Sequence, residues 1–129
     1  MSSRLFHHGA HAVEDFATAR IDLAGGAALQ LACSWNLSAG CDCIISVAFH
    51  GTRGGAALRN VGGSFYDFVA EHYQQTQTIR LAEPPDAWGG RAAVAFARQL
   101  AESNRFDPSI ERIVDVATVL DDIYAGGRA

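Results

Sequence analysis

The chain has 129 residues, of which 49% are hydrophobic and 19% charged, with a formal net charge of −4. That length suits one domain burying roughly two-thirds of its unfolded surface, and the composition favours a packed core over disorder. The ten basic residues are all arginines and are scattered, so no block tracks a phosphate backbone, no stretch approaches the roughly 20 apolar residues of a membrane span, and neither nucleic acid nor membrane is an expected partner.

Met1-Ser2-Ser3-Arg4 leads into no apolar signal segment, and the three cysteines are an odd number, which argues against a disulfide framework. A cytoplasmic protein is expected. After an extended piece around Leu5–His7, the stretches Val13–Leu23, Ala27–Leu37 and Cys43–Phe49 put their large apolar residues on odd positions. Leu29, Leu31, Cys33, Trp35 and Leu37 alternate with Gln30, Ala32, Ser34 and Asn36. Strand side chains change face at every residue, so this pattern predicts strands with one apolar face. Gly25-Gly26 predicts a tight hairpin. Further turns are expected at Ser38–Gly40, Gly51–Gly55 and Gly62-Gly63, with strands over Ala56–Val61 and Thr76–Leu81. Phe65–Tyr73 is aromatic and ambiguous in period.

The pattern then becomes helical. Pro84-Pro85-Asp86 predicts a stop and an N-cap for a helix over Ala87–Ser103, carrying Trp88, Ala92, Ala95, Phe96 and Leu100 on its stripe. A break is expected at Asn104–Phe106. Asp107-Pro108 repeats the start signal for a second helix, with Ile110, Ile113, Val114, Ala117, Leu120 and Tyr124 on one stripe and a stop at Gly126-Gly127. Strands first and helices last predict an α+β fold. The expected form is one open, mostly antiparallel sheet with helices packed on its odd face. The even face, with Ala28, Ala32, Ser34, Ile44, Ser46 and Ala48, reads as small and apolar, available for face-to-face homodimerisation.

Chemistry-bearing residues are sparse. Without lysine the chain supplies no Schiff base and no P-loop lysine. Gly51-Thr52-Arg53-Gly54-Gly55 is followed by strand-like sequence rather than a phosphate-holding helix. His7, His8, His11, Cys41 and Cys43 lack zinc-ligand spacing. Ser34 and Ser64 occupy no nucleophile elbow, and Glu14-Asp15 and Asp121-Asp122 read as structural or solvated pairs. No catalytic, cofactor-binding or metal residue is assigned. Trp35, Arg53, Trp88 and Arg91 are the substrate-pocket candidates, with a core anchor the rival reading for Trp88 and an ion pair for Arg91.

Val13-Glu14-Asp15-Phe16-Ala17, Ser34-Trp35-Asn36, Gly51-Thr52-Arg53-Gly54-Gly55, the run from Pro84 to Arg91 and the close Val116–Tyr124 occur in an order and spacing that resemble a known family. They look like the C-terminal domain of the glucose–fructose oxidoreductase/inositol dehydrogenase/MocA family of NAD(P)-dependent oxidoreductases, over about Leu5–Tyr124. The resemblance implies a dihydrodipicolinate-reductase-like C-terminal fold that shapes a sugar or polyol pocket and dimerises through its open sheet face. It also implies an N-terminal Rossmann domain that binds NAD(P). The family's catalytic lysine, in a Glu-Lys-Pro motif, has no counterpart in a chain without lysine. Its catalytic histidine motif has none either, since no aspartate precedes Gly9 in His7-His8-Gly9-Ala10-His11. The expectation is a single domain over residues 1–129, a fragment of a longer gene or a separately encoded half, neither holding the dinucleotide nor transferring hydride alone. The alternative is a free-standing small-molecule binding module lined by Trp35, Tyr66, Tyr73 and Trp88.

Overall fold

The computed structural model describes residues 1–103, 105 and 107–127. The elements run β1 (Ser2–Phe6), β2 (Phe16–Asp22), β3 (Ala28–Ser34), β4 (Ser46–Gly51), β5 (Gly54–Asn60), β6 (Phe68–Gln74), β7 (Gln77–Ala82), α1 (Arg91–Glu102), a 3₁₀ turn (Pro108–Glu111) and α2 (Arg112–Gly126). The mixed α+β character is therefore as the alternation and the late helical spacing predict. Chain contacts divide it into two compact units, Met1–Leu37 with Arg105–Ala129, and Ser38–Asn104.

The single open sheet is corrected. The strands form a three-stranded sheet, β1-β2-β3, and a four-stranded meander, β4-β5-β6-β7, every pair antiparallel. The reason lies where β3 ends. Ser34 Oγ donates to the Asp15 carbonyl and Trp35 Nε1 to the Glu14 carbonyl, each at 2.6 Å. These bonds tie the end of β3 back to the approach of β2, so the strand stops at Ser34 instead of running to Leu37.

In the first unit, Ser3, Leu5, Ala17, Ala19, Leu31 and Cys33 share a face by register. α2 packs on β1: Ser3 Oγ donates to the Ile123 carbonyl at 2.6 Å, and Ile123, Ala17 and Ala19 are buried. The hairpin glycines behave as their sequence implies, Gly25 and Gly26 having φ of 96° and 85°, which costs glycine little. The even face is corrected as well. Ala32 lies beside Thr18 and Arg4, and Gln30 beside Arg20 and Ser2, so neighbouring strands make this face polar.

The start of α1 differs from expectation. Gly90 precedes it in a left-handed conformation without side-chain capping, while the Asp86 carboxylate grips the guanidinium of Arg91. Trp88 consequently lies before the helix. The expected break at Asn104–Phe106 includes positions 104 and 106, which lie outside the described residues. Asp107 caps as expected, accepting from Ser109 N at 2.9 Å with Pro108 in the first turn. The α2 stripe is rotated, however. Ile123 is buried, whereas Ile113 is 71% exposed.

Candidate functional site

The four-stranded sheet has two unlike faces. Along each strand the faces alternate, and the register groups Ala48, His50, Gly55, Ala57, Arg59, Val69, Glu71, Tyr73 and Arg80 on one of them. Strands β5, β6 and β7 bring three of these to Glu71, whose side chain is 6% exposed. Arg59 and Arg80 reach its Oε1 at 3.0 and 3.2 Å, and the Tyr73 hydroxyl donates to Oε2 at 3.0 Å. The Tyr73 hydrogen bond, ahead of the two guanidinium groups, holds the Glu71 carboxyl below the usual carboxylate range against the opposing effect of burial. The same bond raises the Tyr73 phenol. Both Glu71 oxygens are occupied, and the phenol is neutral. The cluster therefore positions side chains rather than abstracting protons.

At the turn end of the sheet a cleft of about 520 Å3 is lined by His50, Thr52, Arg53, Tyr73 and Gln75 over the glycines of the β4–β5 hairpin. Register places Gly55 between His50 and Tyr73. A Cβ on Gly55 would lie 2.7 Å from the Phe49 carbonyl and 3.3 Å from the Tyr73 ring. Only glycine leaves this floor open. A cleft of that volume suits a small ligand, and the imidazole, hydroxyl, guanidinium and amide around it are hydrogen-bonding groups.

The opposite face carries Val47, Leu58 and Ala70 in one row and Phe49, Ala56, His72 and Ile79 in the next, with no Asp, Glu, Lys or Arg among them. Val47, Phe49, Leu58 and Ile79 are 47%, 66%, 44% and 43% exposed. Residues of odd number in β4 thus form the bare apolar surface, while the even Ser46 and Ala48 sit among the ions.

Of the four pocket candidates, Arg53, Trp88 and Arg91 belong to the four-stranded unit and Trp35 to the other. Arg53 lines the cleft. Trp88 donates from Nε1 to the Tyr66 carbonyl at 2.7 Å and packs edge-on against Phe68, 6.1 Å between ring centres. Phe68 and Tyr73 lie at opposite ends of β6, separated by about 17 Å of strand rise. Arg91 is held by Asp86. Trp35 belongs to the other unit, with its indole on the Glu14 carbonyl and His11 edge-on to it. Tyr66 is 73% exposed, and Tyr73 lines the cleft.

Several of the residues weighed for metal or nucleophilic chemistry have structural partners. His8 Nδ1 lies 2.7 Å from Asp15 Oδ1, and the His8 and Gly9 amides donate to Oδ2 at 2.7 and 3.1 Å. These bonds, that from the His8 ring first, lower the Asp15 carboxyl. Glu14 accepts from the Tyr124 hydroxyl, which lowers the carboxyl and raises the phenol. Ser64 Oγ accepts from the Tyr66 and Asp67 amides, both at 3.1 Å. Cys43 Sγ lies 3.2 Å from the Gly63 carbonyl, and burial pushes its thiol up. Among the described residues no three metal-binding side chains come together, and no helix is long and apolar enough to cross a membrane.

Sequence reasoning missed Glu71, Arg59, Arg80 and His50. Arg59 lies two residues beyond Ala57, and Glu71 two before Tyr73, spacings that put each pair on one strand face. That signal was available. Compared with known proteins, this chain finds no counterpart: no family, no curated protein and no solved structure matches it.

Proposed function

We propose that the chain is the substrate-side and assembly half of an NAD(P)-dependent oxidoreductase acting on sugars or polyols. It is inactive by itself and pairs with a second copy of itself. The supporting observation is the division of the four-stranded sheet into an ionic face with a glycine-floored cleft and a bare apolar face. The cleft offers neutral and cationic hydrogen-bonding groups of the kind a polyol engages, with Arg53 at its rim. The apolar face has no charge to strand, so a second copy can lie against it about 10 Å away without desolvating an ion. A two-fold pairing presents each face to its equivalent. Oxidoreductase chemistry rests on the family resemblance, and NAD(P) and the hydride-transferring residues belong to a companion Rossmann domain.

Sedimentation of the chain at micromolar concentration tests the assembly. A dimer is expected for the unaltered chain, and a monomer of unchanged circular dichroism for Phe49→Glu. A monomer at every concentration overturns the pairing, and favours α1 of the same chain as the cover. The free-standing binding module is the second reading, favoured by the same cleft. It gains if the monomer binds a polyol in calorimetry with no Rossmann chain present. Tight binding of NADH or NADPH by the chain alone would overturn both readings.

A further inference from the structure

A concavity of about 720 Å3 lies in the other unit, on the even face of the three-stranded sheet. Register sets six residues there as a grid of two rows: Ser2, Arg20 and Gln30 in one, Arg4, Thr18 and Ala32 in the other. Five of the six carry hydrogen-bond donors, and none is a carboxylate. Ala32 leaves the third column low. Arg4 and Arg20 occupy diagonal positions on adjacent strands, within reach of one another for long side chains. The Arg4 side chain makes no hydrogen bond or ion pair among the described residues. Arg20 bonds Asp22 at 3.1 Å through Nη2 and 3.2 Å through Nε. Two guanidinium groups and one carboxylate leave this patch cationic on a chain whose net charge is −4.

We infer that this grid is a binding site for a dianionic phosphate group, with Arg4 and Arg20 as its two guanidinium forks and the Ser2 and Thr18 hydroxyls as further donors. The chemistry follows from the arrangement. Guanidinium forks match phosphate oxygens in pairs, and neighbouring like charges on one sheet face repel until an anion lies between them. Three strands at about 4.8 Å spacing make the grid roughly 10 Å wide, the scale of one small phosphomonoester and far short of a nucleic-acid track. The Gln30 amide and the space over Ala32 then face the organic part. Asp22 is a competitor for Arg20. Its ion pair must loosen for both forks to engage.

Amide NMR titration of the full chain with inorganic phosphate tests the site, at about pH 7.5 where phosphate groups are mainly dianionic. The control is sodium chloride at matched ionic strength. Saturable shifts are expected at residues 2–4, 18–20 and 30–32, and none from chloride. Arg4→Gln and Arg20→Gln should each weaken binding about tenfold, while Asp22→Asn should tighten it a few-fold by freeing Arg20. All three side chains are exposed, so the variants keep the spectrum of the folded chain. A hexose monophosphate binding several-fold tighter than inorganic phosphate assigns the site to phosphomonoesters, whereas equal affinities assign it to the free anion. No saturable shift, shifts reproduced by chloride, or unchanged binding in the doubly substituted Arg4→Gln/Arg20→Gln chain overturns it. The result is independent of self-pairing, which concerns the other sheet.

Discussion

Asp15 and Glu71 are the buried acidic residues of the two units among the described residues, 3% and 5% exposed, and their surroundings differ in kind. Asp15 is wrapped by its own neighbourhood: two backbone amides and an imidazole from residues six and seven positions earlier. Glu71 is neutralised from other strands, by Arg59 on β5 and Arg80 on β7. The first is a loop latch that forms wherever that loop closes. The second exists only if three strands are in register, so it reports on the sheet as a whole. The units also differ in how they treat their helices. α2 is anchored through Ile123, whereas α1 has no buried residue and leaves Phe96 58% exposed.

The contrast can be broken at its strongest point first. Ile123→Ala removes the buried anchor of α2 and should cost about 3 kcal/mol in urea unfolding, with early loss of α2 amide protection in hydrogen exchange. Gly55→Ala forces a Cβ against the Phe49 carbonyl and should cost about 2 kcal/mol, closing the floor of the cleft at the same time. Thermal melts and polyol calorimetry on this variant check both halves of that statement.

Glu71→Gln leaves two arginines facing a neutral amide. Its amide shifts should spread across β5, β6 and β7, with a lowered urea midpoint that recovers partly in high salt. Asp15→Asn should be the smaller change, confined to residues 6–16 and to the neighbouring end of β3. Equal spread in the two shift maps would remove the distinction between latch and register.

Acid unfolding sharpens it further. Both carboxyls titrate below their unfolded values in the folded chain. The unfolded chain therefore takes up protons first as pH falls. The stability they contribute is present above about pH 4 and is lost as pH drops through the depressed folded values. Following His8 and Tyr73 ring signals separately down this range should show which carboxylate releases its partner first.

Much of the fold was legible because its signals are local. The Gly25-Gly26 hairpin, the Asp107-Pro108 start and the period-two runs each depend on residues within a few positions of one another. The misplaced start of α1 shows the limit of such signals. Asp86 satisfies the capping rule by type, yet its carboxylate found Arg91, and the flexible Gly89-Gly90 pair let the chain delay the helix. Of the proposed cleft Arg53 and Tyr73 were singled out, but in different settings, since His50 and Tyr73 meet across Gly55, a neighbour that pairing alone supplies.

By itself the amino-acid sequence determined which segments extend, which coil, and which parity of each strand is apolar. Tertiary structure decided which strands lie side by side, and so what each face carries. A strand's alternation speaks for its own two faces, while the surface a ligand or a second copy meets is assembled from neighbours far along the chain. Ala32 looked like part of a bare apolar face until β1 and β2 placed Arg4 and Thr18 beside it. Val47 and Phe49 looked like core until the register set them on a face that no other described element buries.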